Sequence, residues 1–298
     1  MFPKPSTLYS AMTIGVTSLS FAAIFIRLAD APPLIIASYR LSIASVAMIA
    51  ISIVYNLRSK KSRNNPRTSG KPFDKKDFLL LAISSTCLAL HFVFWITSLS
   101  YTSVTSSVML VTTNPFIVAL ASRVIFKESI NTHVLAGVGL GIIGGLILTV
   151  GDAMEDGKLF GDLLAFLGAI AVVGYLLAGR SLRKNISTLT YATWVYTGAA
   201  IILVLASIIS GQSFTGFSQG TYIALILLAL GPQVLGHSLL NWSLAYATAT
   251  LVAITVMAEP VIATLLAIPM LNEWPSQTSI IGGISILTGI YIAVRPKR

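Results

Sequence analysis

Glu259 lies near the middle of an apolar stretch, 246–271, and it is the acidic residue at that depth. A carboxyl at the centre of a membrane helix costs about 2.5 to 3.5 kcal/mol to insert, so it must face the interior and be paired or protonated. It can hold a cationic group of a solute, exchange a proton, or serve only a structural hydrogen bond, with the Thr255 hydroxyl one turn before it. His91 and His237 also fall near the middle of apolar stretches, 77–100 and 219–243. On the second of these, Gln233, His237 and Asn241 recur every four residues, a polar stripe on an apolar helix that is expected to line water. On the first, His91 and Trp95 share a face. Arg40, preceded by Tyr39, is a cation well inside a span; it reads equally as an anchor for an anionic group and as a snorkelling or ion-paired side chain, with Glu259 or Asp30 as the partner. These residues suit solute binding. A metal site is not expected, because no Cys cluster or closely spaced His pair accompanies them.

The elements that must position them are membrane helices. Of 298 residues, 55% are hydrophobic and only 10% charged, and the mean hydropathy is +0.84. A crossing needs about 20 apolar residues, so ten would use about 200 and leave only short loops. Spans are expected at 8–27, 34–56, 77–100, 102–125, 131–150, 159–179, 188–210, 219–243, 246–271 and 277–294. The fold class is therefore an all-α membrane protein of ten transmembrane helices.

Positive charge sets the orientation, since Lys and Arg near span ends stay on the cytoplasmic side. With the N-terminus inside, all 20 Lys and Arg fall cytoplasmic except Arg27, Arg40 and Lys158, while Asp30, Asp152, Glu155, Asp156 and Asp162 gather at the other face. Both termini are expected in the cytoplasm of a cell (inner) membrane protein. The net charge of +10 is thus a topology signal and not a nucleic-acid footprint. Much of it sits in a basic loop, 57–76, placed to meet anionic headgroups. The first span reads as structural and not as a cleaved leader, since Arg27 and Pro32 flank the only small-residue triplet behind it. Cys87, the only cysteine, cannot close an intrachain disulfide.

The chain also repeats itself at an offset of 145 residues: Tyr101 pairs with Tyr246, Pro115 with Pro260, Glu128 with Glu273, Gly137 with Gly282 and Gly144 with Gly289. Each half, 1–150 and 151–298, would carry five spans, and an odd number makes the halves inverted repeats. Such halves place a binding site at their interface near the midplane and give alternating access by exchanging conformations. In this frame the partner of Glu259 is Asn114, polar but unable to titrate. Pro115 and Pro260 remove the donors that would bond the Val111 and Val256 carbonyls, so they mark breaks in the fourth and ninth spans, as hinges or as static kinks. Gly137, Gly141 and Gly145 clear one face of the fifth span for close packing, within the molecule or in a homodimer. Hydroxyl stripes such as Thr13, Thr17 and Ser20, or Ser38, Ser42 and Ser45, keep one helix face polar.

Tyr39-Arg40-Leu41, Pro115 followed by Glu128 and Gly137, and Glu259-Pro260 with Glu273 and Gly282 resemble the ten-helix EamA-type exporters of the drug/metabolite transporter superfamily, over essentially the whole chain. The resemblance implies that spans one to four and six to nine surround a central cavity, with five and ten peripheral. It also implies outward transport of amino acids, other metabolites or toxic compounds. Glu128 and Glu273 match the family pattern at helix ends, where capping and loop anchoring are expected. Asn114 before its proline, and His91 with His237, depart from that pattern.

The chain carries no zinc-hydrolase, phosphate-loop or nucleophile-elbow motif, so neither an enzyme nor a cofactor is expected. The reading is a secondary transporter exporting a small amphipathic metabolite, an amino acid or related compound or a drug. Glu259, His91, His237, Trp95, Asn114, Gln233, Asn241, Tyr39 and Arg40 are its candidate binding residues, Pro115 and Pro260 its hinges, and Glu259 its proton-coupling candidate. The expected partners are the bilayer, the solute and protons, with the chain a monomer or a homodimer. The alternatives are an antiporter of phosphorylated sugars or nucleotides, and a membrane sensor or subunit that moves nothing.

Overall fold

A computed structural model of the protein describes residues 5–59, 74–126, 132–152, 158–182, 186–243, 246 and 255–294. Residues 60–73 of the basic loop, Glu128 and the side chain of Asn241 lie outside the described residues. Among those described, every regular element is helical: α1 Pro5–Ser20, α2 Ala22–Leu28, α3 Pro33–Ser59, α4 Lys75–Ser98, α5 Val104–Val111, α6 Asn114–Phe126, α7 Thr132–Asp152, α8 Lys158–Leu182, α9 Thr188–Ile209, α10 Gln219–Leu228, a π-helical segment Ala229–Gly236, α11 His237–Ser243, α12 Ala258–Leu271 and α13 Gln277–Val294. Among the described residues, six stretches are long and apolar enough to cross a membrane: Ser6–Leu28, Pro33–Tyr55, Lys75–Ser98, Lys158–Leu182, Thr188–Ile209 and Gln219–Leu240. Shorter apolar helices cover Val104–Val118, Thr132–Ile147, Ala258–Leu271 and Gln277–Ile292.

Helix starts are written in the sequence. A helix leaves its first amides without internal partners, and a short polar side chain just ahead of it can accept from one of them. Asp74 accepts from the Asp77 amide at 2.8 Å while the Asp77 carboxylate accepts from the Asp74 amide at 3.2 Å, closing a capping box before α4. Ser103, Ser187 and Ser218 cap α5, α9 and α10 by accepting from the amides of Ser106, Thr190 and Thr221. At the far end of α12, Asn272 adopts the left-handed conformation (φ 54°) that stops a helix, and this turn throws Glu273 back over the bundle.

Packing follows the small and polar residues, because lipid tails are as apolar as leucine and give no incentive to bury it. Val46, Leu146 and Ile209 stay on the outside, whereas Ser38, Ser84, Ser106 and Ser107 are buried. Helix α3 meets α9 through a Ser38–Ser207 hydroxyl pair at 2.9 Å and a Ser45–Thr197 pair at 2.7 Å. Helix α4 packs on α8, α1 on the π segment and α11, and α5 on α12.

Helices α7 and α13 pack on each other at glycines. A Cβ added at Gly144 would stand 2.6 Å from the Gly282 carbonyl oxygen, and one at Gly289 would stand 2.6 Å from that of Gly137. The close face therefore runs through Gly137, Gly141 and Gly144. Gly145, the expected third member, would place its Cβ no nearer than 3.9 Å to its neighbour, the side chain of Leu110. Successive contacts at spacings of four and then three keep a straight helix in register with its partner, which a strict spacing of four does not. Asp162, counted among the acids of one face, is buried and accepts from the Thr102 hydroxyl at 2.8 Å.

Candidate functional site

Two interruptions in the helices build the site. Helix α5 stops at Val111 and α6 begins at Asn114, so Pro115 stands in a first turn, where its missing amide has no intrahelical partner to lose. The next three side chains bond the carbonyls at the end of α5, of which those of Val108 and Leu110 also accept from the Thr112 and Thr113 amides. Thr112 donates to Val108 O at 2.7 Å, Thr113 to Leu110 O at 2.6 Å, and the Asn114 amide to Val111 O at 3.0 Å. The carbonyl that Pro115 frees is thus satisfied by the residue just before it, as the bilayer interior demands. A similar break precedes α12, which starts at Ala258 after a turn at Met257 and carries Glu259 and Pro260 in its first turn. The positive end of that helix dipole favours an acidic side chain there.

Both breaks open onto one cavity of about 530 Å³. Its wall includes Thr112, Asn114 and Pro115 from the first, Val256, Met257 and Glu259 from the second, His91, Phe92 and Trp95 from α4, His237 from α11 and Arg40 from α3. A volume of this order accommodates a small organic solute. Helix α13 contributes Ile290 to the wall, and no described side chain of α7 lines it.

Arg40 is the electrostatic centre. It is 1% exposed, its Nε donates to Gln233 Oε1 at 2.8 Å, and its guanidinium carbon lies 4.1 Å from the Phe92 ring centroid and 5.5 Å from that of Trp95. Gln233 also hydrogen-bonds the buried Tyr196. The π-helical widening around Pro232 delivers Gln233 to this position, since one extra residue per turn rotates the chain after it. Glu259 is close enough to Arg40 to interact with it electrostatically. His91 donates from Nδ1 to the Gly168 carbonyl at 2.9 Å, which fixes its ring, and it stacks on Trp95 with centroids 5.8 Å apart.

Of the expected binding residues, Glu259, His91, His237, Trp95, Asn114 and Arg40 share the cavity wall. Gln233 stands one layer behind, holding Arg40. Tyr39 points elsewhere: its hydroxyl donates to the Phe214 carbonyl at 2.7 Å and its ring meets Tyr222 edge-on. Trp194 and Trp242, aromatic residues that would suit an amphipathic solute, are 49% and 36% exposed and lie outside the wall. Phe92, directly beneath the guanidinium, carried no signal in the sequence, because one more apolar residue in a greasy span is unremarkable. Among the described residues no three His, Cys, Asp or Glu side chains gather as a metal site would need.

Beyond the cavity, Glu273 ties three elements together. One carboxylate oxygen accepts from Arg27 Nη2 at 2.8 Å at the end of α2, and the other accepts from the Val104 amide at the start of α5. The expected capping role and an ion pair are thus combined in one side chain.

The model of the EamA-like transporter family matches residues 7–150 and again 159–295. The chain is 21% identical over 282 residues to the uncharacterized transporter YdfC of Bacillus subtilis (strain 168), covering 94% of this chain and 88% of that protein. It is 26% identical over 232 residues to the uncharacterized transporter YetK of the same organism, covering 75% and 70%. A solved crystal structure superposes with a TM-score of 0.65 over 97% of this chain and 98% of its own at 18% identity, a likeness of fold alone. With its apolar helices and this family match over nearly its whole length, the protein is a multi-pass membrane protein that belongs to the EamA-like transporter family, within the drug/metabolite transporter superfamily.

Proposed function

We propose that this protein is a secondary transporter that exports a small amphipathic metabolite, an amino acid, a related compound or a drug, by alternating access. The observation that carries the reading is a cavity walled by both helix breaks, whose described residues bring one cation, one carboxyl and two imidazoles to an otherwise mostly apolar surface. Ten helices in two inverted five-helix halves, with both termini in the cytoplasm, fit it. The family model matches each half, and the packing pattern maps onto itself when the halves are exchanged. The α4–α8 contact corresponds to that of the π segment and α11 with α1, and α3–α9 and α7–α13 correspond to themselves. In that topology the Arg27–Glu273 pair lies at the outer face. Leu240, Tyr175 and Val118 extend the cavity wall into the cytoplasmic halves of their spans, as in a carrier closed outside. Glu259 is the candidate for proton coupling, and Pro115 and Pro260 are the candidate hinges.

Solute counterflow in proteoliposomes tests the reading. Amino acids, nucleosides and cationic drugs that raise the thermal stability of the purified protein are the solutes to load. Transient accumulation of labelled solute against its gradient is the expected result. A sensor gives none, and a channel gives flux without saturation. Exchange of phosphorylated sugars or nucleotides is disfavoured, because Arg40 is the only Lys or Arg among the described residues of the cavity wall.

A further inference from the structure

The cavity wall contains two buried donors that no described residue engages. Arg40 commits Nε to Gln233, yet among the described residues its Nη1 has no hydrogen-bond partner, and neither does the indole Nε1 of Trp95 beside it. The two side chains are 1% and 5% exposed, and both line the cavity. A buried donor without an acceptor is costly, and an ionised one is costlier still. Two unpaired donors on neighbouring side chains, one charged and one neutral, therefore call for an acceptor that no described residue supplies. Phe92 and Trp95 pack against the guanidinium and Gln233 holds its Nε, so its two terminal nitrogens, Nη1 among them, are fixed in place.

We infer that Arg40 Nη1 and Trp95 Nε1 form a carboxylate subsite, and that the solute is an organic monocarboxylate whose apolar body rests on Val108, Val111, Leu176, Val256 and Met257. A carboxylate offers each donor an oxygen lone pair and brings the one negative charge that a single guanidinium balances. A phosphate dianion would arrive with a second charge that no other Lys or Arg on the described wall meets. The inference rests on the transporter reading for its biological sense, but it is a statement about binding and can be tested without transport.

The test is equilibrium binding to the purified full-length protein in lipid nanodiscs, by calorimetry at one pH. The probes are L-phenylalanine against L-phenylalaninamide and 3-phenylpropionate against 3-phenylpropionamide, pairs that differ at the carboxylate. At least one acid is expected to bind about 10-fold tighter than its amide, the scale of a hydrogen bond to a charged group. Trp95→Phe keeps the ring over Arg40 and removes only the N–H, so it should cut that ratio about 5-fold. Arg40→Gln should bring it close to one, and if that variant does not fold, Trp95→Phe still decides. Amides that bind as tightly as the acids, no binding of either acid, or an acid preference unchanged in Trp95→Phe would each overturn the subsite. Acid-selective binding without counterflow would retain the subsite and remove transport. Counterflow that ignores the carboxylate would do the reverse.

Discussion

Replacing Glu273 by Gln keeps the shape of the tie between α2, α5 and α12 and removes its charge. The Arg27 and Glu273 side chains are 34% and 18% exposed, so solvent screens their 2.8 Å contact and the pair contributes about 0.5 kcal/mol. The bond from the Val104 amide survives to a neutral acceptor but loses about half its strength, on the order of another 0.5 kcal/mol. Together, about 1 kcal/mol shifts an equilibrium between closed and open forms of this face roughly 5-fold toward open. A cysteine at Thr105, buried and next to Val104 in the chain, reports that population through its rate of reaction with a membrane-impermeant maleimide in a Cys87→Ser background. Glu273→Gln should raise the rate about 5-fold. Arg27→Gln should raise it by less, and the double variant should fall short of the product of the two, because they remove one shared contact. A Glu273→Gln rate within twofold of the parent would refute the idea that this tie holds the face shut.

Gly144→Ala should lower the melting temperature in detergent, because the added methyl meets backbone of α13 at 2.6 Å and such overpacking costs about 1 to 3 kcal/mol. Gly139→Ala, with nothing within 4 Å, should be neutral or slightly stabilising in the same assay. Asn114→Leu strips the Val111 carbonyl of its partner and should cost about 1 to 3 kcal/mol of stability by the same readout. If Glu259 carries the coupling proton, proteoliposome uptake by Glu259→Gln should lose its dependence on external pH while binding persists; an unchanged pH profile would remove this carboxyl from coupling.

Much of the helix layout was legible because a membrane solvent leaves few solutions: long apolar runs must be helical, and Ser103, Ser187 and Ser218 mark their starts chemically. Residue type also singled out much of the cavity. Glu259, His91, His237 and Arg40 are too costly in an apolar span to be incidental, and they share one wall. What the sequence concealed was rotation. Tyr39 is adjacent to Arg40 but about 100° around the helix, which carries it to Phe214 and away from the cavity. The π segment disturbs the four-residue stripe, so Gln233 turns to Arg40 while His237 reaches the cavity. The break at Pro115 was foreseeable, whereas its repair by the neighbouring Asn114 depended on a side-chain direction that spacing does not encode.

Met257, on the cavity wall where α12 begins, is the position from which to ask whether both faces of the membrane reach the same chamber in turn. In a Cys87→Ser background, Met257→Cys should react with an impermeant thiol reagent from the cytoplasmic side at rest, and from the opposite side once solute is driven outward. Reaction from one side under every condition, or from both sides at once, would contradict alternating access.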